Sequence, residues 1–205
     1  MDYATLASLD SVQRTAEGLK ARRFEPILIE DGAKALELIK TLIPKGASVM
    51  NGSSVTLEQI GFVDYLKSGA HEWNNLHAAV LAEQDAGKRS LLRKQSVVSD
   101  YYLGSAHAIA ETGQMVFGSN TGSQMPHLVF TSPNIILVVS TMKIMPTLET
   151  AIERLEKHVV PLEDDHMKQL YGMGTMLNKM LVLHGENVQA KRSVKVLLVG
   201  EKLGF

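Results

Sequence analysis

The segment Ser99 to Gly113, SDYYLGSAHAIAETG, gathers more reactive side chains than any other stretch of the chain. Asp100 and Glu111 are carboxylates fit for general acid or base work, and Glu111 could also act as the nucleophile of an acyl transfer. Gly104, Ser105 and Gly113 add tight turns and a hydroxyl, the parts of a ligand-binding loop. The alternative is that Glu111-Thr112-Gly113 is a hairpin turn and Asp100 a cap. His107, framed by Ala106 and Ala108, reads as a packed, hydrogen-bonded histidine in preference to a catalytic one.

Two further constellations could hold a ligand. Asn51-Gly52-Ser53-Ser54 joins an expected strand to an expected helix. There a glycine permits close backbone approach, serines donate hydroxyls, and a helix start offers free amides suited to a phosphate or carboxylate; a plain turn with an N-cap is the competing reading. Gly118 to Ser123 is a run of small and polar residues in which Asn120, Thr121 and Gly122 could wrap a ligand with backbone amides, or form an exposed connection. With Asn120 at its centre it is not the G-x-S-x-G turn that presents a serine nucleophile.

Other patterns point away from metal and nucleotide chemistry. His71-Glu72 lacks the second histidine of H-E-x-x-H, Asp164-Asp165-His166 reads as a solvated helix start, and Gly172-Met173-Gly174 lacks the third glycine of a dinucleotide loop, so no metal site is expected. Lys88, Arg89, Arg93 and Lys94 read as a solvated basic face. Met173, Met176 and Met180 recur at helical spacing and are expected in a core or an oligomer interface, which leaves a homo-oligomer among the expected assemblies.

These side chains must be positioned by a fold that the patterning indicates. Leu6, Leu9, Val12, Ala16 and Leu19 form the stripe of an amphipathic helix. Pro26–Ile29 is an expected strand, Ala33, Leu36, Ile39 and Leu42 a second helix ending near Pro44 and Gly46, and Ala47–Met50 the next strand. Thr56 and Gln59 match a capping box at the head of a helix with Leu57, Ile60 and Leu66 inward. Residues 71–96 read as mixed helix and loop. Val97–Val98, Ala106–Ala110 and Gln114–Phe117 are short apolar pieces cut by Gly104, Gly113 and Gly118. Ile135–Ser140 is an aliphatic run of the kind buried on both faces of a sheet. A helix stripe over Leu148, Ile152, Leu155 and Val159, a helix over 163–181 with Leu170, Met173, Leu177 and Met180 inward, and a last strand Val194–Val199 complete the series.

Strands alternating with helices predict an α/β fold with a mainly parallel sheet covered on both faces, whose ligands collect outside the carboxyl ends of the strands. The 205 residues, 45% hydrophobic and 21% charged, are expected to form a single domain over 1–205. Lys and Arg number 21 against 22 Asp and Glu, so nucleic acid is not an expected partner. The chain has no cysteine, which excludes disulfides and thiolate-held iron–sulfur clusters. Its longest apolar run, Ile135 to Val139, is far short of the roughly 20 residues of a membrane span, and the start MDYATLASLD lacks a signal profile; the expected address is the cytoplasm, with no membrane partner.

Taken in order, SVMNGSSVTLEQIGF, SDYYLGSAHAIAETGQMVF, GSNTGSQ, IILVVSTMKI and KVLLVGEKLGF resemble the LUD domain, the lactate-utilization family once known only as a domain of unknown function. The resemblance covers nearly the whole chain. It implies the fold of glucosamine-6-phosphate deaminase, ribose-5-phosphate isomerase and CoA transferases, a Rossmann-like sheet with a small antiparallel extension. It implies a role in lactate or related organic-acid utilization beside partner proteins that carry iron–sulfur clusters, this cysteine-free chain being the cluster-free subunit or accessory that binds a small anionic metabolite. The alternatives are a stand-alone isomerase-like enzyme with Asp100 or Glu111 as base, a CoA-transferase-like enzyme with Glu111 as nucleophile, or a structural interaction module. Carried onto this sequence, the resemblance places Asn51, Gly52, Ser53 and Ser54 at the anion turn, Asp100, Gly104, Glu111 and Gly113 in the central motif, and Asn120, Thr121 and Gly122 at the pocket wall. Lys143 would neutralise a carboxylate, or is an ordinary surface lysine at a strand end.

Overall fold

The computed structural model describes residues 2–205. Helix α1 (Leu9–Ala21) starts where the Ser8 hydroxyl accepts from the Ser11 amide, and it buries the expected stripe of Val12, Ala16 and Leu19. Strand β1 (Glu25–Ile29) leads to α2 (Gly32–Leu42), capped by Asp31, then to β2 (Ser48–Asn51), α3 (Val55–Gln59) and α4 (Phe62–Ser68). A two-residue strand β3 (Asn74–Asn75) and helices α5 (Leu76–Ala82) and α6 (Ala86–Gln95) occupy the stretch whose pattern was mixed. Next come β4 (Tyr101–Gly104), β5 (Ala108–Ala110), β6 (Met115–Ser119), β7 (Asn134–Ser140) and β8 (Ile144–Met145). Helix α7 (Leu148–Arg154) runs through a π-helical turn at Leu155–Val159 into α8 (Val160–Tyr171), and β9 (Lys179–Leu183) and β10 (Ser193–Val199) follow.

Six strands form one sheet in the order β1-β10-β7-β4-β2-β3, every neighbouring pair parallel. Alternate residues of β7 supply two cores. Leu137 and Val139 pack with Val12 and Leu19 of α1, while Ile136 and Val138 pack with Ile39 of α2, Leu57 of α3 and Phe62 of α4. Covered on both faces, β7 has no solvent side on which polar residues could sit, and that is why its sequence is an unbroken aliphatic run. Each such side chain contributes about 1.5–3 kcal/mol by leaving water. The fold is α/β and Rossmann-like, with helices on both faces as expected.

The extension is a four-stranded sheet in the order β8-β5-β6-β9. Strands β5, β6 and β9 are antiparallel, but β8 joins β5 in parallel, so the extension is mixed. No described helix is long and apolar enough to cross a membrane.

Three local expectations are corrected. The helix expected over 163–181 ends at Tyr171, because Gly172 takes a left-handed conformation (φ 69°) that closes it, and Leu170 and Met173 are 58% and 72% exposed instead of inward. Val97–Val98 form a 3-10 turn, and the strand lies later, at Tyr101–Gly104. The cap of α3 is Ser54, whose hydroxyl accepts from the Leu57 amide, so Thr56 lies inside the helix with its hydroxyl free for another partner.

Candidate functional site

The carboxyl ends of β2, β4 and β7 bring together three of the segments singled out by sequence. Strand β7 ends at Ser140, and the 3-10 turn Thr141–Lys143 carries Lys143 back under the end of the sheet, where it is only 4% exposed. Its ammonium donates to the Thr56 hydroxyl at 3.0 Å and to the Ser105 hydroxyl at 3.3 Å. Ser105 directly follows β4, and Thr56 sits in the first turn of α3, so one cation ties together the chain beyond three strands. The surface-lysine reading is therefore overturned: the strand does not end in solvent.

Burial without a carboxylate partner, with repulsion from the Arg154 guanidinium added, lowers the Lys143 amine to about 7. Arg154 itself is fully buried, donates to the carbonyls of His107 (2.6 Å) and Tyr3 (3.2 Å), and leaves its Nε without a partner. Among the described residues, these two buried cations thus face carbonyls and hydroxyls and pair with no carboxylate. His107 accepts from the Gly118 amide at 3.1 Å, and burial, Lys143 and Arg154 hold it neutral with a pKa of about 3, as befits a packed histidine.

The Asn51–Ser54 turn lies at the same edge. The Gly52 amide is spent on the Leu103 carbonyl, and α3 has only five residues, so the turn offers less amide and dipole than the sequence implied. Asn51 is 6% exposed, and its Oδ1 is a buried acceptor with no partner. A Cβ on Gly52 would lie 2.5 Å from the Tyr102 hydroxyl, so this glycine is what lets the turn press against that side chain, while Gln124 Oε1 at 3.5 Å would be in ordinary contact. Gly104, at the end of β4, packs on the Tyr102 ring. Burial pushes the Tyr102 phenol up, keeping it neutral.

A backbone strap closes the edge. Beyond β10 the Glu201 carbonyl accepts from the Ser140 hydroxyl at 2.5 Å, Leu203 is buried in the core on the α2 and α3 face, and the Gly204 amide donates to Gln59 Oε1 at 2.6 Å. A Cβ on Gly204 would stand 2.6 Å from Lys143 Nζ, and its φ of 72° is one that glycine adopts freely.

The other predicted residues lie elsewhere. Asp100 precedes β4 and accepts from the amide and hydroxyl of Ser48, the first residue of β2, at 2.8 and 2.6 Å; these bonds hold its carboxyl below the usual range. In a parallel sheet that is the amino edge, opposite Lys143. Glu111 belongs to the turn between β5 and β6, where it accepts from the Ser11 hydroxyl at 2.6 Å and from the Arg14 guanidinium at 2.7 and 2.9 Å, and the guanidinium lowers its pKa. Gly113 in the same turn meets α1. Neither carboxylate shares a bonded partner with the Asn51–Ser54 turn. Asn120 is held by Asn178 and Lys179, next to Thr121 and Gly122, so this loop is fastened to β9, and Gln124 is the residue of the connection that approaches Gly52.

Tyr102, Gln124, Arg154 and Gly204 were not singled out by sequence, and Thr56 was read there only as a helix cap. Nothing in their types marks them, because each gains its place from a contact distant in the chain.

The comparisons with known proteins agree with this architecture. No curated protein sequence matches. The fold is similar to the crystal structure of a DUF162 family protein from Deinococcus radiodurans, with a TM-score of 0.58, 11% identity, and coverage of 96% of this chain and 100% of that one. DUF162 is another designation of the LUD domain. The sequence pattern of the LUD domain matches residues 12–174, a span running from α1 to just past α8 and including every strand end that meets at Lys143, and the chain belongs to the LUD domain family, the lactate-utilization domain.

Proposed function

We propose that this chain serves lactate or related organic-acid utilization as a component without iron–sulfur clusters, and that it binds a small anionic metabolite at the carboxyl edge of the large sheet with Lys143 as the counter-charge. The observation that carries this reading is the buried Lys143 amine, bonded to two hydroxyls and to no carboxylate. An ammonium removed from water without a counter-ion is costly, and a carboxylate or phosphate placed beside it relieves that cost. The buried, unpartnered Oδ1 of Asn51 offers an acceptor for a ligand hydroxyl at the same edge.

The enzyme readings draw less support. A general base needs a free carboxylate in a cleft, whereas Asp100 and Glu111 are both held ionised by donors from neighbouring elements, and Asp100 lies at the amino edge.

The test is a thermal-shift and calorimetric screen of lactate, pyruvate, other small carboxylates and inorganic phosphate against the native chain and Lys143→Met. A ligand that prefers the folded state raises the melting temperature by mass action. At least one anion is expected to bind the native protein and to lose its shift in the folded Met variant. Binding that survives Lys143→Met, or no binding by any of these anions, overturns the reading.

A further inference from the structure

The hydroxyl-lined setting of Lys143 does not favour the protonated amine. An amine kept only as a counter-ion is best placed where it stays protonated, near a carboxylate or water. Lys143 is buried and has no carboxylate partner among the described residues, and the charge that acts on it, Arg154, is another cation. Desolvation and a neighbouring cation are the two means by which proteins turn a lysine into a nucleophile. At an amine pKa of about 7, Lys143 is about half unprotonated at neutral pH, whereas an ordinary surface lysine is so in only about one molecule in a thousand or fewer.

We propose that Lys143 Nζ, between the Thr56 and Ser105 hydroxyls and beneath Gly204, forms a reversible imine with the carbonyl group of a small 2-oxo acid. This rests on the reading that the carboxyl edge receives a small anion, and it adds the chemical class: a carboxylate that carries a ketone next to it. The Nζ lone pair adds to the carbonyl carbon, and one amine proton passes to the former carbonyl oxygen, giving a carbinolamine. The hydroxyl then leaves as water with a second proton, and the carbon–nitrogen double bond forms. One water is released, and no oxidant or reductant is consumed. The two hydroxyls, 3.0 and 3.3 Å from Nζ, are placed to accept protons from nitrogen and return them to the departing oxygen. The third side of the amine faces the Gly204 backbone, where a side chain would collide with Nζ. Imine formation requires that Gly204 leave its hydrogen bond to Gln59, which would open that side to the incoming carbonyl.

The experiment incubates the full chain at neutral pH with pyruvate and sodium borohydride, which fixes an imine as a stable secondary amine, and maps the adduct by peptide mass spectrometry. Lactate, which has no carbonyl, is the parallel control. Calorimetry with pyruvate is run on the same protein. We expect one pyruvate-derived adduct on Lys143, at least about tenfold above any other lysine given its far larger neutral fraction, no adduct with lactate, and none at position 143 in Lys143→Arg. Pyruvate binding without an adduct on Lys143 overturns the imine and leaves the anion site standing. Adducts spread evenly over surface lysines also overturn it. Absence of both binding and adduct overturns the anion reading together with the imine. Because the mapping is done on the native chain, the result does not depend on whether a variant folds.

Discussion

Gly18 of α1 and Gly113 of the β5–β6 turn meet backbone against backbone. A Cβ on Gly18 would fall 2.6 Å from the Glu111 carbonyl oxygen, and one on Gly113 would fall 2.6 Å from the Leu19 amide nitrogen. The Glu111 carboxylate then reaches across to Ser11 and Arg14, and Arg22 donates to the Thr112 carbonyl at 2.5 Å. The glycines, the carboxylate and the two arginines form one dock that fastens the first helix to the small sheet.

This dock predicts that Gly113→Ala destabilises the chain by about 3 kcal/mol or more, since the variant must accommodate both a φ of 90° and a collision with backbone that has no flexible side chain to move. Gly46→Ala is the control: its φ of 79° is similarly strained, but a Cβ there meets nothing within 4 Å, and the cost should be about 1 kcal/mol. Urea denaturation of both variants measures the difference. Equal losses would mean that the close approach carries no weight.

Glu111→Gln separates docking from catalysis. Because Arg14 is largely exposed, its ion pair with Glu111 is screened, and the variant should fold with only a small loss of stability and unchanged anion binding. The pH dependence has a definite sign. The carboxyl of Glu111 is lowered on folding, so its contribution is present above the ordinary glutamate pKa and is lost as pH falls through the lowered value. A Gln variant whose anion affinity collapses while its fold is retained would return Glu111 to the binding site.

The architecture was more legible in the sequence than the site. The two-sided burial of β7 shows in its unbroken aliphatic run, and the stripe of α1 shows in its spacing, because both follow from local periodicity. The α8 boundary was misread because Met173, Met176 and Met180 keep a helical spacing beyond Gly172, and periodicity registers spacing without the left-handed turn that breaks it. The Asn51–Ser54 turn, Ser105 and Lys143 were visible as types at strand ends. What joins them was not: the bond from Lys143 to Thr56 spans 87 positions, and the Gly204 cover returns from beyond the last strand. Asp100 was misleading for the opposite reason. It lies four residues from Gly104 in sequence, but those four residues are β4, whose length separates the two edges of the sheet.

Two buried histidines set the acid limit of the fold. Burial holds His107 at about 3 and His127 at about 4, both below the ordinary value of 6.5, so each is neutral when folded and gains a proton on unfolding in mild acid. The sign follows: their contribution to stability is complete above about pH 6.5 and declines as pH falls towards the folded values, at about 1.4 kcal/mol per pH unit for each histidine where the two states differ by a full proton. His127 accepts a 2.8 Å hydrogen bond from Ser132, or donates it according to tautomer, and stacks on Tyr102 at 4.3 Å, so His127→Gln costs packing at every pH but flattens this slope. Midpoints recorded from pH 7 to 4 give the test; native and Gln curves that stay parallel would contradict it.

On the proposed function, the isolated chain should not oxidise lactate. Oxidising lactate removes two electrons, and on this reading they pass to iron–sulfur clusters of a companion, since a chain without cysteine has no thiolate with which to hold one. Lactate-dependent reduction of a dye should appear only when a cluster-bearing companion is added, and Lys143→Met in the reconstituted mixture should lower the rate or raise the lactate concentration needed. Turnover by the purified chain alone would refute the division of labour.

Lys143 itself should cost the fold stability. Its pKa is lowered on folding from 10.5 to about 7, so between those values the unfolded chain carries a proton that the folded chain does not. The penalty is complete below about pH 7 and fades as pH rises towards 10.5, which makes the native protein gain about 1.4 kcal/mol per pH unit across that window. Lys143→Met keeps an unbranched side chain out to the ε carbon and removes the amine. The variant should therefore be more stable than the native chain at pH 7, should lack the alkaline rise, and should converge on the native curve near pH 10. Added anion should narrow the gap at pH 7 by stabilising only the native protein. A Met variant that is less stable at every pH, with a curve parallel to the native one, would show that the buried amine is a structural tie, and the argument for a site built around it would fall.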